Sequence, residues 1–231
     1  MNKLERLLTR ALQERESGKA EKSLATLQSA FFLASQQKNH ERVVQCFVDR
    51  AIVFRHLYEE RADVLFAILA RKDAEAILEM VKMWGVSERL HTAYYLLGQA
   101  ALLFQEYGEA EKWFFKALRY YKGDPTEKGS WRYHWAKSLY LSGEKKRGLL
   151  AFSHALTEIK NNVGKANPFL VHVYLSGAYA SFAQVLAKDN SQDAKKYYEL
   201  SKEIISSDAR LVVRKKQLRE LEKFLKKCGT L

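Results

Sequence analysis

Polar and apolar positions alternate with a helical period along almost the whole chain. In Tyr94–Leu118, large apolar residues recur three and four positions apart on both sides of a polar break at Gln105–Gly108. That is the spacing of one face of a 3.6-residue helix, repeated twice. Small residues (Gly98, Ala110, Ala117) stand at fixed places among the large ones, where they let neighbouring helices approach closely. Ala110, Phe114 and Ala117 are spaced by four and three, so the phenyl ring fills the gap between two small side chains on one face. The same spacing recurs as Gly148, Phe152, Ala155 and as Ala194, Tyr198, Ser201. Looser copies are Ala62, Phe66, Leu69 and Ser23, Leu27, Ala30.

Turn residues fall between the periodic segments: Ser17-Gly18, Gly85-Val86-Ser87, Glu106-Tyr107-Gly108, Gly123-Asp124-Pro125, Ser142-Gly143, Asn161–Asn167 and Asp189-Asn190-Ser191. Together they predict eleven helices, over 2–16, 19–37, 40–58, 61–84, 87–104, 107–122, 128–142, 144–161, 168–187, 191–206 and 208–227. Ser87 and Asp208 read as N-caps, and Pro168 suits a first helical turn. Residues 61–84 allow one long helix or two, broken near Arg71-Lys72-Asp73. The last segment has an apolar stripe at Leu211, Leu218, Leu221 and Leu225, with basic residues elsewhere.

Composition agrees with a helical reading: only two prolines and eleven glycines leave little material for the turns of a many-stranded sheet. No Pro/Gly/Ser-rich linker divides the chain, which reads as one continuous array. Cys46 and Cys228 lie far apart and form no Cys-x-x-Cys pair, so no zinc site is visible and both are expected as reduced thiols. Ala166–Ala187 has no formally charged residue and is about long enough to span a bilayer. It carries Asn167, Pro168, His172, Ser176, Ser181 and Gln184, all costly in hydrocarbon, and reads as a buried central helix of a soluble protein. The charged first ten residues lack the apolar run of a signal peptide. The expected location is the cytoplasm, with no integral membrane segment.

The Tyr94–Leu118 unit resembles a tetratricopeptide repeat, a helix–turn–helix that must stack on copies of itself to bury its apolar face. The starting residues Ser23, Ala62, Ala110, Gly148 and Ala194 are separated by 39, 48, 38 and 46 positions, against about 34 for the standard repeat. The resemblance is therefore to a divergent member with longer repeats, and it covers residues 1–206. It implies an all-α fold, a right-handed α-solenoid of about five repeats over 1–206. Residues 207–231 are then a basic C-terminal capping helix, apolar inward and polar outward.

Catalytic motifs are missing. There is no Gly-x-x-x-x-Gly-Lys-Ser/Thr loop, no His-Glu-x-x-His, no Gly-x-Ser-x-Gly and no Gly-x-Gly-x-x-Gly. The six histidines are scattered without metal-ligand spacing. The chain is read as no enzyme, without cofactor or metal.

In arrays of this family the first helix of each unit lines a concave groove that captures peptides or partner helices. Fifteen residues before the anchors Ala62, Ala110, Gly148 and Ala194 stand Phe47, Tyr95, Tyr133 and Tyr179, which would form an aromatic column down that groove, while the same count from Ser23 gives Leu8. Four residues further along are Ala51, Gln99, Lys137 and Ala183, and His134 adjoins them. The resemblance thus implies a partner-binding groove of Phe47, Tyr95, Gln99, Tyr133, His134, Lys137 and Tyr179. The alternative is that the aromatics pack between helices. A Lys/Asn/Arg carboxylate clamp, known from chaperone adaptors of the family, would have Lys137 as its only cation here.

The formal charge is +12, an excess that attracts acidic partners. It concentrates in residues 208–228, including Arg210, Arg214, Lys215, Lys216, Arg219 and Lys223. The leading expectation is a scaffold or adaptor that binds an acidic or amphipathic protein segment in its groove. The alternative is backbone-driven binding of nucleic acid, RNA included, through the basic surface of 208–228 and the Lys112–Arg147 region. A lesser alternative is a peptide-sensing regulator, which repeats near 40 residues also resemble.

Overall fold

Asparagine and aspartate side chains set where most of the helices begin. In the computed structural model, which describes residues 2–161 and 167–231, Asn2 caps α1 (Lys3–Glu16), its Oδ1 accepting from the Glu5 amide at 2.9 Å. Helix α2 (Ala20–Gln36) follows after Gly18, and Asn39 caps α3 (His40–Arg61). Asp63 caps α4 (Val64–Trp84), and a 3-10 turn at Ser87–Arg89 leads into α5 (Leu90–Leu103). Helix α6 is Tyr107–Tyr120. Asp124 caps α7 (Pro125–Leu141) and accepts from two amides, with Pro125 in the first turn, where its missing N–H costs nothing. Then come α8 (Lys145–Lys160), α9 (Pro168–Leu186, capped by Asn167), α10 (Ser191–Ser207, capped by Asn190) and α11 (Val212–Lys227). Among the described residues the fold is all-α and contains no strand.

Where the structure decides what the sequence left open, or departs from it, the cause is local. Helix α4 is continuous through Arg71-Lys72-Asp73, because Asp73 is a buried inward residue. Its two oxygens accept from Arg50 Nε and Nη2 of α3 at 2.8 and 2.7 Å. Helix α7 starts three residues earlier than expected, since Asp124-Pro125 is a cap plus first turn rather than a turn alone. Asp208 is the C-cap of α10 rather than the N-cap of α11: it stays extended at φ −123°, ψ 105°, held by Arg210 and His172, and α11 starts four residues later. Ser87 opens the 3-10 turn instead of α5. Residues 162–166, part of the expected Asn161–Asn167 turn, lie outside the described residues.

The chain divides into two compact units, Met1–Tyr120 and Tyr121–Leu231. In the first, α1/α2, α3/α4 and α5/α6 pack as helical hairpins, and α3 also touches α1 and α5. In the second, the hairpins are α7/α8 and α9/α10, and α9 touches α7, α8 and α11. The compact units part between Tyr120 and Tyr121. Leu221 and Leu225 of α11 share one core with Ala178, Phe182 and Tyr198, so α11 is integral to the second unit.

Four of the five anchor trios are buried as the spacing requires. Phe114 is fully enclosed, and a Cβ added at Gly98 would lie 2.8 Å from its ring, which is why the glycine stands there. A Cβ at Gly148 would lie 2.9 Å from the Ala136 carbonyl oxygen of α7. Phe152 stacks on Phe182 with centroids 3.6 Å apart. The fifth trio fails. Ala62 is the exposed left-handed C-cap of α3 (φ 53°), and α4 buries Ala67, Ala70, Ala74 and Ile77 instead.

By length and composition α9 is apolar enough to cross a membrane. Within its unit Ser176 is met by protein: its Oγ donates to the His172 carbonyl at 2.6 Å, and its carbonyl accepts from Ser201 Oγ of α10 at 3.0 Å.

Candidate partner-binding surfaces

The aromatic positions of the expected groove are spent largely on packing. Phe47 leans edge-on against Phe31 of α2, centroids 5.7 Å apart, and the Arg50 guanidinium covers its ring at 4.3 Å. It is an interhelical residue of α2, α3 and α4. Its place in the column was counted from Ala62, which lies outside α4, so the count was out of register. Tyr133 and Tyr179 are each 4% exposed and share the core of the second unit. Tyr179 stacks on Tyr197 of α10 at 5.8 Å, and Tyr133 lies against His134 at 4.0 Å. Tyr133 and Tyr179 are thus core residues, and Phe47 is half-buried between helices.

Tyr95 is half-buried and packs on Phe114 of α6 at 5.7 Å. One turn on, Gln99 is 6% exposed; its Oε1 accepts from Arg55 Nη1 of α3 at 3.3 Å, while its Nε2 is enclosed without an acceptor. Gln99 therefore links α5 to α3 rather than facing a partner. His134 and Lys137 are half-buried on α7.

The basic residues divide as well. Lys215, Lys216, Arg219 and Lys223 are exposed on one side of α11. Arg210 is not part of that face: it donates to Asp208 at 2.8 and 2.6 Å and lies 4.9 Å over Phe169. Donation from Arg210, then from His172, holds the Asp208 carboxyl well below its usual range. Arg214 turns toward α9, where a Cβ on Gly177 would be 2.6 Å from its Nη2, and donates to Gln217 at 2.7 Å.

A concavity that the sequence did not point to lies in the first unit, where α4, α5 and α6 meet. Leu78, Leu97, Ala101 and Trp113 supply its apolar surface, and Glu75, Glu79, Glu106, Glu109 and Arg71 its polar lining, enclosing about 310 Å³. Every carboxylate has a cationic neighbour: Arg71 with Glu106, Lys72 with Glu75 at 2.8 Å, Lys82 with Glu79 at 3.0 Å, Lys112 with Glu109 at 2.6 Å. The Lys pairs are exposed and weak, so the side chains can re-pair with a ligand at little cost. Trp113 is fixed by stacking on Tyr94 at 5.7 Å, with Lys116 over its ring at 4.3 Å.

Exposed large apolar side chains gather on the same class of helix. Phe31 and Phe32 of α2, Val64, Leu65, Ile68 and Met83 of α4, Phe115 and Tyr120 of α6, and Leu149 and Leu150 of α8 are all exposed. Leu12, Leu170 and Val212 are the others among the described residues. The second helices of four hairpins, α2, α4, α6 and α8, thus carry most of these side chains, whereas none of them lies on α10. The run Val64–Ala70 was the available signal: seven residues with no charge, of which only part can face the core.

Comparison with known protein families and with curated proteins finds no match. The geometry has to carry the reading alone. Among the described residues no group of three His, Cys, Asp or Glu side chains converges as a metal site. The perturbed acids and phenols are held by structural partners. Burial and its bond to Asp189 push the Tyr140 hydroxyl up to about 12, and burial pushes the Cys46 thiol up to about 12.

Proposed function

We propose that the chain is a non-catalytic interaction protein of tetratricopeptide-like helical hairpins, five in number, stacked as a right-handed solenoid and closed by α11. What supports the repeat reading is that, within each unit, first helices pack on their own second helix and on neighbouring first helices. Such stacking favours extended surface over enclosed pockets. The partner is an amphipathic segment of another protein, and its docking face is the second-helix surface of the first unit. The observation that carries this is the exposed apolar side chains of α4 and α6, the two helices that with α5 form the cleft of Leu78, Leu97 and Trp113. Contiguous exposed apolar surface on a soluble protein marks interaction sites, and a fixed tryptophan at a cleft is a favoured anchor. The cleft sits at the lower end of the roughly 300–1,000 Å³ range of ligand pockets. It suits a few apolar side chains of a partner helix, with the helix's basic residues on Glu79 and Glu109.

Placing a photoreactive phenylalanine analogue at Glu79 or at Tyr95 separates this face from the groove along the first helices. Adducts with one defined partner should form from position 79 and not from 95. Adducts from 95 alone would return the site to the groove; no defined adduct from either would remove the proposal.

A further inference from the structure

The positive charge of this protein is almost wholly a property of its second unit. Residues 1–120 hold 18 Lys/Arg against 16 Asp/Glu, and residues 121–231 hold 21 against 11, which places +10 of the total +12 there. Within that unit α11 displays the charge in order. Its exposed residues are Val212, Lys215, Lys216, Arg219, Glu220, Lys223, Lys226 and Lys227. At about 100° per residue they fall on a single strip, and at about 1.5 Å per residue the cations from Lys215 to Lys227 extend over about 18 Å. Lys223 pairs with Glu220 at 2.8 Å and Lys226 with Glu222 at 2.7 Å. Lys215, Arg219 and Lys227 make no ion pair among the described residues. The opposite side of the helix is locked into the unit by Leu221 and Leu225, with Leu218 and Phe224 against the same core. The strip is therefore held rigidly outward.

The chemistry of the strip selects among anionic partners. A protein interface needs apolar or aromatic anchors in desolvated pockets, and between Lys215 and Lys227 no large apolar side chain is exposed. A membrane-surface helix buries its apolar face in lipid, but the apolar face of α11 is already used inside the protein. Polyphosphate needs neither: it binds through charge and counterion release alone. We propose that the outward face of α11 docks the phosphate backbone of nucleic acid. With no exposed aromatic on the strip to stack on bases, binding is independent of sequence. This inference stands on the second unit and does not depend on the protein-docking face of the first.

The test uses the full chain and two fluorescein-labelled probes, a 20-nucleotide single-stranded RNA and a 20-base-pair DNA duplex, by anisotropy from 50 to 200 mM NaCl. Binding should occur, and the plot of log K against log salt should have a slope of about −0.9 per contacted phosphate on the duplex and about −0.7 on the single strand. In K215Q/K216Q/R219Q/K223Q the duplex slope should become shallower by roughly 3 to 4 units, with the melting temperature unchanged. A control, K22Q/K72Q/K82Q/K112Q in the first unit, should keep the original slope. No binding at 50 mM NaCl, or a slope that the α11 variant leaves intact, overturns the proposal. So does equal α11-dependent binding of polyglutamate, or of vesicles with anionic lipid in the absence of nucleic-acid binding.

Discussion

Two glycine-to-alanine substitutions should move stability in opposite directions, and the sign at each is set by what a methyl group would meet. In a helix, alanine is favoured over glycine by about 1 kcal/mol, so open space makes the change stabilising. Gly108 lies near the start of α6, with nothing within 4 Å of an added Cβ. The expected gain for Gly108→Ala is about 0.4–1 kcal/mol. At Gly148 a Cβ would lie 2.9 Å from the Ala136 carbonyl oxygen and 2.9 Å from the Tyr140 backbone nitrogen. Both are backbone atoms of α7 and cannot rotate away; carbon contacts relax at about 3.5–4.0 Å, so the two helices must part by a few tenths of an ångström or more. Overpacking of this kind costs about 1–3 kcal/mol, which outweighs the propensity gain. Gly148→Ala should therefore be destabilising by roughly 1 kcal/mol, a drop of about 2–4 °C in Tm at this chain length. Thermal and urea unfolding followed by circular dichroism at 222 nm reads both variants. Gly148→Ala as stable as the parent, or more so, would refute the close approach of α7 and α8.

Removing the carboxylate in Asp73→Ala should cost about 1–3 kcal/mol in urea unfolding, because Arg50 loses a two-point partner but retains solvent. Cys46, buried with its thiol pushed up to about 12, should resist a maleimide at pH 8 while Cys228 is labelled; labelling of Cys46 in the folded protein would contradict its place in the core. The Tyr140 hydroxyl, raised from 10 to about 12 by burial and then by Asp189, stabilises the fold fully below pH 10, and that contribution is lost as pH rises through about 12. Tyr140→Phe should accordingly narrow its stability difference from the parent over that interval, in melts taken at stepped alkaline pH.

The fold was legible because its signals are local. Asn39, Asp63, Asn167 and Asn190 cap helices where the pattern changes, and the trio Ala110, Phe114, Ala117 states directly which face is buried. Legibility failed where a tertiary contact overrode local preference. Residues 61–84 stayed open as one helix or two because Asp73's partner Arg50 is 23 residues away in sequence, and Asp208 was read as an N-cap because Arg210 and His172 were not visible as its ligands. The candidate site was less legible for a related reason. Counting back from an anchor finds a position on a helix but not whether the next helix covers it, so Tyr133 and Tyr179 were found as a column and proved to be core. The α4–α6 cleft joins residues from Arg71 to Trp113 across three helices, and no spacing rule gathers them. The basic strip on α11 was visible as composition, but only the helix's orientation shows that Arg210 and Arg214 do not belong to it.

The most direct test of the docking face is calorimetric titration of the cross-linked partner's segment into the parent, Trp113→Ala and Thr92→Lys. Loss of a tryptophan anchor should weaken binding by about tenfold or more, while Thr92→Lys, at a half-buried position of α5 three residues before Tyr95, should leave it unchanged. An unchanged affinity for Trp113→Ala together with a loss for Thr92→Lys would contradict the account.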